Sequence, residues 1–199
     1  MQVQTSPGRL QPCPGDTAAC IICECNDATP KGDYVAGTRA LTAGEVALAR
    51  EAFGGGIDYR RVTIVDGAAA NLAARIAFKK GNPAITLGST VHFKHGLAAD
   101  FAAPGGDRNG FMHEMTHVWQ FQRLGVTRFL LLYAKELMQV RGRANAMYAY
   151  RPGETKFVAA MLEAQAQMVG DYAEARAAGW APKAALLERS LAGSGLYGL

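Results

Sequence analysis

The amino-acid sequence predicts an α+β fold in which a small β-sheet or hairpin packs on a larger helical half. Residues 84–93 alternate between apolar and polar side chains, which is the period of a half-buried strand. From Asn109 onward the apolar residues recur at helical spacing, and glycine stands near a predicted helix end. About half of the 199 residues are hydrophobic (49%), so one domain of this length can bury a sizeable core.

The first 38 residues are predicted to be an irregular leader or linker, and the folded domain is expected to cover 39–199. The leader is rich in proline, glycine and cysteine and has no sustained periodicity. Its cysteines are all four of the chain, and their spacing permits a second, structural zinc site, two disulfides or free thiols. They are Cys13, Cys20, Cys23 and Cys25.

The early elements follow from local signals. Thr42 and Glu45 form the pattern of a capping box, which predicts a helix that ends at a run of three glycines. A short strand is predicted over 61–65. The segment 84–93 is predicted to be either one long strand or a hairpin that turns at Gly88-Ser89.

Four helices are predicted in the second half of the chain. The first covers 111–124 and ends at Gly125, and the second begins at a Thr127 cap and runs to about residue 140. The third is predicted over 155–178, and a short fourth over 182–192.

Charge and hydropathy argue against several classes of function. Lys and Arg exceed Asp and Glu by a formal +4, and this excess is scattered, which argues against nucleic-acid binding. No apolar run approaches the roughly 20 residues of a membrane-spanning helix. The N-terminus lacks the basic-then-apolar order of a signal peptide, so a protein that acts outside its cell would need another export machinery.

The motif His113–His117 (His-Glu-Met-Thr-His) carries the most specific chemical signal. On a helix, residues four apart share a face, so both histidines can bind one metal ion. Glu114 lies beside them, where its carboxylate can act as a general base toward a water that zinc acidifies to a pKa of about 7. Apolar neighbours such as Met115 and Trp119 indicate that this helix is central.

A catalytic zinc site needs a third protein ligand. No histidine follows His117, which excludes a third histidine downstream of the motif. Either an upstream histidine, His92 or His95, or a downstream acid remains. The downstream acids are Glu136, Glu154, Glu163, Asp171, Glu174 and Glu188.

Among these acids Glu163 is favoured. It falls outside the apolar arc of its helix, but its neighbours on that side are small or uncharged, which permits a second helix to pack closely. Gln167, one turn later, could orient Glu163 or a ligand histidine. Asp171 is expected to face water, with the anchoring of a ligand histidine as the alternative.

The segment Met112–Gln120, followed by a later helix with the sequence Glu-Ala-Gln, resembles the zinc metallopeptidase toxin domain at the C-terminus of some type VI secretion VgrG spike proteins. The resemblance runs from about Leu41 to Tyr172. It implies a gluzincin-like zincin fold and a catalytic zinc ion held by His113, His117 and Glu163. It also implies an antibacterial effector that hydrolyses a protein or peptide substrate in a target cell, in the periplasm rather than the cytoplasm, with the secretion spike and a cognate immunity protein as partners.

Other polar residues are candidates for transition-state stabilisation. His92 lies near the end of the predicted β segment, whose Thr86–His92 face is expected to line the cleft as an edge strand that holds extended substrate. Tyr172, Tyr148 and Tyr150 are possible hydroxyl donors, with packing as the alternative.

Two other classes of function remain open at this stage. One is a spike or adaptor domain that keeps zinc for folding alone, although Glu114 argues against it because a structural site needs no general base. The other is a zinc hydrolase of a non-protein amide such as one in the cell wall, because the same chemistry acts on any carbonyl.

Overall fold

The computed structural model describes residues 37–94 and 97–199. The predicted leader lies outside the described residues except for its last two positions. The four cysteines and His95 lie outside them too.

The described strands form one mixed four-stranded sheet, so the α+β class predicted from the sequence is confirmed. The order is β1-β2-β4-β3, with β2 and β4 parallel and the two outer pairs antiparallel. Strand β3 is therefore an edge strand. The strands are β1 (Thr38–Ala40), β2 (Thr63–Asp66), β3 (Ala84–Leu87) and β4 (Thr90–Phe93).

The segment 84–93 is a hairpin and not one long strand. Gly88 has φ = 67°, which a two-residue turn requires and glycine adopts without strain. Because β2 and β4 are parallel, the chain must cross over between them, and a short helix that the sequence analysis missed lies in this crossover. Asn71 caps that helix by accepting from the Ala74 N–H.

The described residues form six α-helices, and local signals explain several of their ends. The α1 capping box is present, with Thr42 and Glu45 bonded reciprocally. The predicted Thr127 cap is wrong, because the helix already begins after Gly125 and has no side-chain cap. The helices are α1 (Ala43–Phe53), α2 (Leu72–Lys79), α3 (Arg108–Leu124), α4 (Val126–Gln139), α5 (Leu162–Ala177) and α6 (Ala181–Leu191).

Helix α5 begins later than predicted. Residues Phe157–Ala159 form a separate 3-10 turn, and the backbone is extended at Ala160 and Met161. The side-chain amide of Gln165 donates to the carbonyls of Phe157 and Ala160, which holds the turn against the helix. The apolar spacing could not reveal this break, because the turn also packs on the core through Phe157.

The centre of the molecule is the contact between α3 and α5. Met112, Met115 and Val118 of α3 are fully buried, as are Met168 and Val169 of α5. The backbones come close where Gly170 meets Asn109: a Cβ atom built on Gly170 would lie 2.6 Å from the Asn109 carbonyl oxygen. The predicted smooth face of α5 therefore serves close helix packing. No helix in the described ranges has the length and apolar character needed to cross a membrane.

Replacing Gly170 by alanine should force α3 and α5 apart and lower the free energy of unfolding by about 1–3 kcal/mol. The matched control is Gly55→Ala, where an added Cβ meets nothing within 4 Å. Urea denaturation of both variants at equal metal content measures the difference. Equal free energies of unfolding in the two variants would show that an alanine side chain at position 170 does not force the helices apart.

Candidate metal site

Two histidines and one glutamate converge between α3 and α5. His113 Nε2 lies 3.2 Å from His117 Nε2, and Glu163 Oε2 lies 3.3 Å and 3.1 Å from these two nitrogens. All three residues are buried. They form the one group with metal-ligand geometry in the part of the chain that the structure describes. Glu163, favoured from its smooth helix face, is thus brought to the two histidines of the motif.

Gln120 fixes the ring of His117. The Gln120 side-chain nitrogen donates to the backbone carbonyl of Leu162 (3.1 Å), and a carbonyl can only accept. The amide oxygen must therefore be the atom that faces His117 Nδ1, at 2.8 Å. In the neutral imidazole Nδ1 then carries the proton, which leaves the Nε2 lone pair directed toward the other two ligand atoms. From the sequence, Gln167 was expected in such a role and Gln120 was not, although the place of Gln120 one turn after His117 was a usable signal.

The electrostatics of the group favour a cation. Burial by itself lowers the pKa of His117, but the Glu163 carboxylate beside it reverses this and raises that pKa to about 9. Burial likewise raises the pKa of Glu163, and the facing His117 and His113 reverse this, so its pKa lies well below the usual range. Without a metal, a proton on His117 and the Glu163 charge compensate each other; a metal cation can replace that proton.

Glu114 lies next to this group without belonging to it. It is buried, and its Oε2 accepts a 2.7 Å hydrogen bond from the hydroxyl of Thr86 on the edge strand β3. Within the described part of the chain, Glu114 Oε1 accepts no hydrogen bond, and Glu114 lines the cavity next to the ligand group. One carboxylate oxygen is thus held and the other is free.

Two tyrosines, Tyr133 and Tyr148, line the same cavity as Glu114. The Tyr148 ring stacks on His113, with centroids 5.7 Å apart and planes at 11°. Burial, together with the Glu163 carboxylate, raises the pKa of Tyr133 to about 12 and raises that of Tyr148 above its usual value. Both hydroxyls therefore stay protonated at neutral pH and can donate. Tyr148 was a candidate from the sequence; Tyr133 was missed, since only tertiary packing brings α4 here.

A cavity of about 200 Å³ opens over the ligand atoms. The two histidines, Glu114 and Glu163 line it, and so do all four residues of β3, Ala84–Leu87. Side chains of a strand alternate between its two faces, so four consecutive lining residues mean that the strand presents its edge to the cavity. An edge strand was expected here through the Thr86–His92 face; of that face only Thr86 lines the cavity, because the chain turns at Gly88.

The structure does not bring the other predicted catalytic residues to this cavity. His92 lies on β4, behind β3, and its Nδ1 is 3.1 Å from the Gly67 carbonyl oxygen. Tyr172 lies a long way down α5, where its hydroxyl donates to Glu188 and its ring packs on Tyr197. These positions do not support the expected roles of His92 and Tyr172 in transition-state stabilisation. The spacing along the chain cannot distinguish them from Tyr148, because each side chain is placed by a different element.

Asp171 does not face water as expected. Its carboxylate accepts hydrogen bonds from Asn109, Gln167 and the hydroxyl of Tyr150, and Lys183 lies 3.7 Å away. The hydroxyl of Tyr150, another candidate donor, therefore donates to Asp171 and does not face the ligand group.

Glu136 holds the start of the helix that carries Glu163. The N-cap residue of α5, Met161, provides no side-chain cap. Instead Glu136 of α4 is buried and accepts a 2.9 Å hydrogen bond from the Leu162 N–H. A carboxylate at a helix N-terminus accepts from a free N–H group, and its negative charge interacts favourably with the helix dipole. Glu136 was a candidate ligand from the sequence; the structure gives it this positioning contact instead.

Taken together, the fold and the site define a class: an α+β domain whose central His-Glu-x-x-His helix meets a glutamate from a later helix. A family model described as the eCIS core domain matches residues 40–125. The type VI secretion system spike protein VgrG2b of Pseudomonas aeruginosa is 33% identical over 139 residues. That match covers 67% of this chain but only 13% of the spike protein.

The effector domain of P. aeruginosa VgrG2b has a similar solved structure, with a TM-score of 0.56 and 30% sequence identity. The similarity covers 83% of this chain and 88% of that domain. The chain belongs to the family of the VgrG2b effector domain.

Replacing Gln120 by leucine should lower zinc affinity about 10- to 100-fold, because His117 loses the acceptor that fixes its ring. Gln120→Glu should retain most of the affinity because it keeps an acceptor for His117. It differs from the wild type in that it cannot donate to Leu162. Competition with a chromogenic chelator measures both, with the exposed Gln139→Leu as control. A loss of the same size in both Gln120 variants would assign this residue to helix packing alone.

Replacing Glu136 by alanine should leave the first N–H of α5 without a partner. We expect the free energy of unfolding to fall by about 1–3 kcal/mol. Zinc should also bind more weakly, because Glu163 follows directly after Leu162. Denaturation and chelator competition test the two effects, with the adjacent exposed Lys135→Ala as control. Full zinc affinity in Glu136→Ala would show that Glu163 is positioned independently of this cap.

Proposed function

We propose that this domain is a zinc-dependent metallopeptidase in which Glu114 is the general base. The observation that carries the proposal is the convergence of two imidazole nitrogens and one carboxylate oxygen beside Glu114, at the floor of a cavity. The distances fit zinc. Ligands at about 2.0–2.1 Å in a tetrahedral arrangement lie about 3.3 Å from one another, and the three separations here are 3.1–3.3 Å.

The number of ligands supports a catalytic site and not a structural one. Structural zinc is held by four protein ligands, and catalytic zinc by three with one open position. His113, His117 and Glu163 supply three, and the cavity lies over them. Bound zinc would supply a Lewis acid that acidifies water and polarises a carbonyl group.

The residues around the ligands would then divide the remaining work. The Thr86 hydroxyl holds Oε2 of Glu114, so that the free Oε1 can take a proton from water and pass it to the leaving nitrogen. Tyr133 and Tyr148 can donate hydrogen bonds to the oxygen that becomes negative at the attacked carbon. We assign to these two the role predicted for His92 and Tyr172.

The open edge of β3 supports a polypeptide as the substrate. An extended peptide can pair with the free N–H and C=O groups of an edge strand and so lie along the cavity with its backbone held. This pairing would place a peptide bond between Thr86 and the ligand group, within reach of Glu114.

The relatives support a role outside the producing cell. We propose that the domain is a type VI secretion effector that travels with a spike, acts in the periplasm of a target cell and is neutralised by a cognate immunity protein. The spike protein VgrG2b and its effector domain support this proposal through their similarity to the chain.

A toxicity assay of wild type and Glu114→Ala, each directed separately to the cytoplasm and the periplasm, tests the proposal. Glu114→Ala should keep about one zinc per chain and its fold but lose toxicity, because it lacks the base and not a ligand. The surface variant Glu154→Ala, 72% exposed at its side chain, is the control and should remain toxic. His113→Ala should lose the metal.

Three outcomes would contradict the proposal. Toxicity that survives in Glu114→Ala would contradict the role of Glu114 as general base. Full zinc occupancy in His113→Ala would contradict the assignment of His113 as a zinc ligand. Toxicity in the periplasm without cleavage of any protein there would redirect the search to a cell-wall amide.

A further inference from the structure

We propose that the cleft selects a peptide with a bulky apolar residue on one side of the attacked bond and a hydrogen-bond-donating or cationic residue on the other. This inference rests on the proposed function for the position of the attacked bond. Its physical basis is that the cavity over the ligand atoms continues into a second one, and that the two are lined by different chemistry.

The two cavities follow helix α3. The second, of about 590 Å³, shares six lining residues with the first: Asn82, Ala84, His113, Glu114, Tyr133 and Tyr148. Beyond these shared residues, the first continues to Phe121, toward the end of α3, and the second to Asn109, near its start. These two residues are about 18 Å apart along a helix that rises about 1.5 Å per residue. An extended peptide of about five residues has this length.

The end near Phe121 is apolar. Leu87, Phe121, Phe129 and Leu130 line it. Among the described lining residues of this cavity the carboxylates are Glu114 and Glu163 of the metal site, and there is no Lys, Arg or Asp. The rings of Phe121 and Phe129 are stacked, with centroids 3.8 Å apart. Leu130 is 53% exposed, so it leaves apolar surface at the mouth that a substrate side chain can cover. A Leu, Phe or Met side chain fits this end, and a charged side chain would lose its hydration there.

The end near Asn109 accepts hydrogen bonds. Gln167 donates its amide nitrogen to Asp171, which leaves its oxygen as an acceptor. Asp107 contributes a carboxylate of which one oxygen caps α3 through the Gly110 N–H. Asn145 is exposed at the rim, and the described lining residues of this end include no Lys or Arg. An amino, guanidinium or amide group would be favoured here, and a substrate carboxylate would be repelled by Asp107.

The contrast between the two ends defines the substrate class. A peptide whose apolar residue lies near Phe121 places its next residues past Glu114 and toward Asp107. The same peptide with acidic residues on both sides would meet an uncharged pocket at one end and a carboxylate at the other. The cleft therefore favours mixed apolar–basic sequences over acidic ones.

Binding can be measured without turnover in the zinc-loaded Glu114→Ala variant. The probes are fluorescein-labelled hexapeptides of glycine in which positions 2 and 5 carry the pair Leu-Lys, Lys-Leu, Leu-Leu or Asp-Asp, so that the two side chains are separated by about 10 Å of extended backbone. Fluorescence anisotropy should show that one of the mixed pairs binds at least about tenfold more tightly than Asp-Asp, as expected from burial of one Leu side chain. Equal binding of all four peptides would overturn the inference.

Two matched pairs of substitutions, in the same Glu114→Ala background, assign the preference to its end of the cleft. Leu130→Asp should weaken binding of the preferred peptide about tenfold, whereas Leu131→Asp, on the same helix and 68% exposed but outside both cavities, should not. Asp107→Asn keeps an N-cap residue and removes the charge, so it should lower the preference for Lys. Asp58→Asn, at another N-cap away from the cleft, should leave that preference unchanged. Identical effects within either pair would contradict the assignment.

The same peptides offered to the wild-type protein separate this inference from the proposed function. Selective binding without any cleavage would contradict the proposed peptidase activity and support the proposed selectivity of the cleft. Cleavage of all four peptides at equal rates would support the peptidase activity and contradict the selectivity.

Discussion

The packing of α5 against α3 determines both the core and the metal-ligand group. The backbones approach so closely that Gly170 has no room for a side chain beside Asn109. Two turns earlier on the same helix, Glu163 reaches the histidines of α3. Burying a carboxylate and two imidazoles costs free energy unless they are paired, and here each compensates the others. The apolar contacts of the two helices supply the stability that this polar cluster requires.

The parts of the site that could be predicted from the sequence are those encoded by local spacing. His113 and His117 share a face because they lie four apart on a helix, and that holds wherever the helix is placed. Glu163 could be predicted only from a different signal, namely that its neighbours on the same side of the helix are small or uncharged. Tyr133 could have been suspected only with the position of α4. The contact of Gln120 with His117 follows from their spacing on one helix, but its second contact, with the Leu162 carbonyl, depends on the position of α5. The fold shows the same division: the α1 capping box was predictable, and the late start of α5 was not.

Helix α4 contributes more to the site than its own burial suggests. Few of its residues are buried, but one of its faces points at the ligand group. Phe129 meets the ring of His117 edge-on at 6.1 Å, Tyr133 lies near Glu163, and Glu136 caps α5. The spacing of these three residues is that of one helix face. The same helix exposes Leu130 at the apolar end of the cleft, so one element would contact both the ligand group and the proposed peptide substrate.

The ligands also connect distant parts of the chain. His117 and Glu163 are 46 positions apart, and the chain between them contains all of α4 and the 3-10 turn before α5. A metal ion held by both helices would act as a cross-link that closes this loop and restricts the unfolded chain. For a covalent cross-link closing a loop of this length, the entropy removed from the unfolded state corresponds to on the order of 4 kcal/mol. The proposed catalytic metal would therefore also hold α3 and α5 together. A chelator would remove the metal and, at the same time, loosen the wall of the cleft.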